Sequence, residues 1–126
     1  MPIVPEHKQD FEACSALSTA EDSTVVAQLG ELLTWLQDMN WPVARHVEAR
    51  IKSLGAPLIQ PVREVLRGSD NIWKYWLVSS LLPKVTPSVV KSLQPELSRI
   101  VTSPDAGEIE EGVVDAVLAL QRSLLA

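Results

Sequence analysis

The sequence predicts an all-α protein, a single domain over residues 1–126 with residues 1–8 extended ahead of the first helix. Three observations predict it. Apolar residues recur three and four positions apart almost throughout, and nothing alternates with the period of two that a half-buried strand requires. Glycine and proline punctuate the runs, at Gly55, Pro57, Gly68, Pro83 and Pro87. Finally, the ends of the helices repeat at intervals of 31 and 34 residues: Gly30, Pro61 and Pro95 match, as do Trp35, Leu66 and Ile100 five residues on.

Each element follows from its spacing. A short first helix is expected around Asp10 to Leu17, carrying Cys14 as a small buried thiol. In VVAQLGELLTWL the set Val25, Val26, Leu29, Leu32, Leu33 and Leu36 lines one face, and Ser18 with Glu21 fits a capping box upstream. PVARHVEARIKSL places Val43, Val47, Ile51 and Leu54 on a buried face and Arg45, His46, Glu48, Arg50 and Lys52 elsewhere. PLIQPVREVLRG follows, with Pro61 in or near its first turn, where a missing N–H is tolerated. NIWKYWLVSSLLP is apolar nearly all round, with Lys74, Ser79 and Ser80 the polar exceptions, which predicts a central helix packed on several sides. PSVVKSLQPELSRIV buries Val89, Val90, Leu93, Leu97, Ile100 and Val101, with Pro95 a kink or late start. The last helix, from about Glu108 to Leu125, is expected to bury Val113, Val114, Val117, Leu118, Leu120 and Leu124.

Ten residues after each first repeat position stand Asn40, Asn71 and Asp105, each just before a new helix, where a side chain can accept a bond from a free backbone N–H. Asp105 with Glu108 forms a box-like pair. The chain therefore reads as about three stacked helix pairs, a HEAT-like helical repeat array of about six to seven helices, either a short right-handed solenoid or a compact helical array.

Composition excludes several classes. A single cysteine leaves no internal disulfide and no cysteine-built zinc site. The stretch MPIVPEHKQDFEA has neither the basic start nor the apolar core of a signal peptide, and no apolar run approaches the roughly 18 residues of a membrane helix. A soluble cytoplasmic protein without membrane contact is expected. The net charge of −5 conceals a pattern: residues 1–40 carry seven acids against Lys8, residues 41–104 nine bases against four acids, and residues 105–126 five acids against Arg122. Bases and acids on neighbouring helices are expected to pair across the surface, because the basic block lacks the density of a nucleic-acid binder.

Enzyme signatures are absent: no glycine-rich phosphate loop, no HExxH pair and no GxSxG elbow. No catalytic residue, metal ligand or cofactor is expected. Asp38 and His46 offer the one acid–base pair across a turn, with His46 read as a solvated helix residue. Of the four tryptophans, Trp35 and Trp76 read as core. Trp41 and Trp73 fall in first turns at one edge of the stack, either as lids over the core or as binding residues. If the repeat holds, three helix N-termini share that edge, and the candidate partner-binding residues are Asp38, Asn40, Trp41, Arg45, Asp70, Asn71, Trp73 and Lys74. Capping accounts for Asn40, Asn71 and Asp105 but not for Asp38, Met39 or Lys74.

At WLQDMNWPVA and IWKYW the sequence resembles a family of short bacterial proteins known only as a domain of unknown function. The likeness extends from DFEA through REVL and LPKV, and Gly30 stands where the resemblance leads one to expect proline. It implies an all-helical, HEAT-like fold and no activity. The functional expectation is a non-enzymatic protein-binding module, for instance an immunity protein that masks a basic toxin with its acidic ends. The alternative is nucleic-acid binding through residues 41–104, with Arg45, Arg50, Arg63 and Arg67 on one concave face.

Overall fold

Among the described residues seven helical segments follow one another, and kinks divide them into ten α-helices with shorter 3-10 and π turns. The computed structural model describes residues 2–125. No strand occurs among them, so the all-α expectation is met. Residues 2–10 are irregular, but Ile3 is buried in the core and the Lys8 carbonyl accepts the Val43 N–H at 3.2 Å.

Helix α1 (Phe11–Thr19) starts where Asp10 accepts the Ala13 N–H at 3.2 Å. Cys14 on this helix is buried, and desolvation followed by the Asp10 charge raises its pKa, which leaves it an inert thiol. The next segment breaks at Gln28 into α2 (Asp22–Ala27) and α3 (Leu29–Leu33), then tightens into a 3-10 turn over Thr34–Leu36. The Ser18–Glu21 capping box does not form. Ser18 still belongs to α1, its Oγ donating to the Ser15 carbonyl at 2.7 Å, and no side chain caps α2.

Helix α4 (Ala44–Ile51) packs on α1. Helix α5 (Ile59–Arg67) follows a 3-10 turn over Ala56–Leu58 and ends at Gly68. Helix α6 (Asn71–Trp76) runs without a gap into a π turn (Leu77–Leu81) and a 3-10 turn (Leu82–Lys84). Pro95 divides the sixth segment into α7 (Pro87–Ser92) and α8 (Gln94–Thr102), as its missing N–H and ring clash require. The last segment starts at Ala106 and breaks at Gly112, giving α9 (Ala106–Glu110) and α10 (Val113–Leu125). Gly112 has φ 76°, a left-handed conformation that stops one helix before the next begins.

The core joins all seven segments. The run from α6 through its π turn lies against α10, as expected of a central helix. Its facing residues are not the expected ones, however. Ile72 is 52% exposed and Trp76 half-buried, edge-on to Tyr75 at 5.2 Å, whereas Lys74, the supposed polar exception, is only 1% exposed. Val26, Leu118 and Leu124, also expected inside, are exposed. At the matched repeat position Leu66 and Ile100 are fully buried and Trp35 is half-buried against the core.

Candidate functional site

Ion pairing decides which charges remain for a partner. Three glutamates are buried, and each is satisfied by bases from the middle of the chain. Glu96 accepts Arg63 Nε at 3.0 Å and Arg67 Nη2 at 2.9 Å. Glu48 accepts the Ser80 hydroxyl at 2.6 Å and pairs with Lys84. Glu108 accepts both Arg99 guanidinium nitrogens at 2.6 Å and Lys74 Nζ at 3.0 Å. At the surface Arg50 pairs with Asp22 at 2.6 Å and donates to the Ala20 carbonyl at 2.9 Å. Burial alone would raise the pKa of Glu108, but the bonds from Arg99, the Asp105 N–H and Lys74 outweigh it and hold the carboxyl down to about 2. Burial and the two arginines compete in the same way at Glu96, with a net lowering.

Six of the eleven bases are therefore engaged: Arg50, Arg63, Arg67, Lys74, Lys84 and Arg99. They consume only four of the sixteen acids. Among the described side chains, twelve carboxylates and five bases have no ion-pair partner, so acids dominate the unpaired charge.

The sequence-predicted residues separate into two groups. Asp38 is not free of structural duty: its Oδ1 accepts the Asn40 N–H at 2.8 Å, and its carbonyl accepts the Trp41 N–H at 3.1 Å. Asn40 does not cap a helix, because α4 starts four residues later with no side-chain cap. Trp41 is half-buried and edge-on to Trp35, ring centres 5.5 Å apart, and Arg45 is exposed. His46 lies edge-on to Phe11 at 5.7 Å and makes no hydrogen bond to Asp38, so the acid–base pair does not assemble.

The second group surrounds the start of α6. Asp70, not Asn71, is the cap, accepting the Trp73 N–H at 3.0 Å. Asn71 lies one position inside and touches α9, where a Cβ on Gly107 would come 2.2 Å from its amide nitrogen. Lys74 cannot meet a partner, being buried against Glu108. An all-apolar helix places one cation inward because its acid arrives from 34 residues downstream. No hydrogen bond or ring contact links these residues to Asp38, Asn40, Trp41 or Arg45 among the described residues. Of the three expected caps, Asp105 does cap α9, in a complete box with Glu108.

One place has the shape of a site. A groove of about 320 Å³ lies between α3, α5 and the start of α6. Leu33, Pro61, Val65 and Trp73 supply its apolar wall, and Glu64 and Asp70 its charge. No base lines it, because the nearby Arg63 and Arg67 turn to Glu96. Gly30 opens the groove: a Cβ built there meets nothing within 4 Å. The Trp73 indole Nε1 is itself buried and has no hydrogen-bond acceptor among the described residues. Sequence reasoning found Asp70 and Trp73 but not Glu64 or Gly30. The mark it had was Gly30 in a helix, where glycine costs stability.

No cluster of metal-ligating side chains exists among the described residues, and none of their helices is long and apolar enough to cross a membrane. No curated protein sequence matches the chain. The family model described as a domain of unknown function, DUF5071, matches residues 3–120, and the chain belongs to that family.

Proposed function

We propose that this protein is a non-enzymatic, HEAT-like helical module that binds a basic protein partner. The observation that carries the reading is the unequal use of charge: six of the eleven bases are engaged in ion pairs, whereas twelve of the sixteen carboxylates have no counter-ion among the described residues. Such a surface steers a cationic partner and repels an anionic one. Rigid stacked helices provide a broad platform whose shape changes little on docking. A bacterial, cytoplasmic immunity protein that masks the active site of a basic toxin is the specific form this reading takes.

The same charge arrangement weighs against nucleic acid as the partner. Arg50, Arg63 and Arg67, three of the four arginines such a partner needs, are held by Asp22 and Glu96. Releasing them would leave Glu96 buried and unpaired.

The test is affinity chromatography of host-cell extract on the immobilised protein, with retained proteins identified and then reconstituted from pure components. The expected result is a basic protein that elutes as salt rises and re-forms the complex when purified. Retention of nucleic acid alone, or failure of any retained protein to re-form a complex, would overturn the reading.

A further inference from the structure

We infer that the groove between α3, α5 and α6 is the anchor pocket for an arginine side chain presented by the basic partner. The inference rests on the protein-binding reading and adds the place and the chemistry of contact. The apolar wall of Leu33, Pro61, Val65 and Trp73 suits an aliphatic stem. A guanidinium is planar, weakly hydrated and always charged, and it sits well beside an indole. Glu64 is exposed and joins no ion pair, and Asp70 uses only Oδ1 to cap α6. Both carboxylates are therefore available at the lip, with no lining base to compete.

Position 30 supplies a test that does not weaken the fold. It lies in α3 with open space around its missing Cβ, so Gly30→Leu fills the groove while replacing a poor helix former with a good one. The variant is expected to keep or raise its Tm and to lose binding.

The probe is N-acetylarginine amide, titrated into isotopically labelled protein and followed by NMR. Its neutral isostere, N-acetylcitrulline amide, is the control. A ligand this small is expected to bind in about the millimolar range. Saturable shifts should be confined to the amides of Gly30, Gly68, Ser69 and Asp70 and the Trp73 indole. The citrulline compound should bind about tenfold or more weakly, and Glu64→Gln should cost a similar factor toward arginine. Equal binding of the two compounds, shifts centred elsewhere, or full binding by Gly30→Leu would overturn the inference. If the groove fails here while the extract still yields a basic partner, the anchor is elsewhere and the protein-binding reading stands. If arginine binds but no partner re-forms a complex, the pocket stands and that reading falls.

Discussion

Lys74 and Glu108 show what a single residue's neighbours can conceal. In IWKYW the lysine is the polar break in an apolar run, and any local pattern puts it at the surface. It is instead the inward side chain, because Glu108 waits on α9 with Arg99 and the Asp105 N–H already bonded to it. The pair is strongly asymmetric toward mutation. Lys74→Met leaves Glu108 satisfied by Arg99 and its capping box, whereas Glu108→Ala strands a buried ammonium and removes the box. Breaking a buried pair in that way costs about 3–5 kcal/mol, a large part of a small domain's total stability. Chemical denaturation should therefore find Glu108→Ala the more damaging by at least about 1 kcal/mol; equal losses would contradict this assignment.

The same carboxylate makes the fold acid-sensitive. Its folded pKa, about 2, lies below the ordinary 4.5, so its contribution is complete above about 4.5 and is lost as pH falls toward 2. The difference is worth about 3 kcal/mol, and Glu96, also lowered, acts in the same direction. Denaturation midpoints between pH 5 and 2 should fall steeply in the wild type and less steeply in Glu108→Gln. A flat profile in the wild type would sink this account.

At the scale of elements, periodicity located every helical segment but not its kinks. Pro95 was visible as a break because the chemistry of proline is local. Gln28 was not, since no residue there forbids a helix. Gly112 stood in a run of acids and valines, and only the structure shows its positive φ. An alanine there must adopt the left-handed conformation beside the Tyr75 ring, 3.6 Å from the added Cβ. Gly112→Ala should lower stability by about 1–2 kcal/mol, measured by denaturation. A neutral effect would mean that the α9–α10 break does not depend on glycine. Caps were legible in part: Asp105 as expected, Asp70 in place of its neighbour Asn71, and none at Asn40 or from Ser18. Asx geometry around Asp38 replaces a cap there, a choice that the two neighbouring polar residues leave open in sequence.

Across the whole molecule, five of the six ion pairs among the described residues join distant parts of the chain, Arg99–Glu108 being the local one. Arg50–Asp22, Arg67–Glu96, Arg63–Glu96, Lys74–Glu108 and Lys84–Glu48 join residues 28, 29, 33, 34 and 36 apart. Arg50–Asp22 ties two successive segments, and the other four pairs tie segments that are two apart in the chain. The basic middle of the sequence is in large part this internal wiring. The pairing was expected from composition, but the burial of its acids was not, because a charge map along the chain carries no depth. The groove was half legible for a similar reason. Trp73 and Asp70 stood out by type, whereas Glu64 and Gly30 gain meaning only when α3 and α5 lie side by side.

On the proposed reading, the carboxylates left outside this network hold a basic protein partner. Isothermal titration of the reconstituted complex at low and high salt tests it most directly. The account predicts a basic partner whose affinity falls as salt rises, with Glu64→Gln weakening binding most at low salt. An affinity independent of salt, or a partner that is itself acidic, would contradict it.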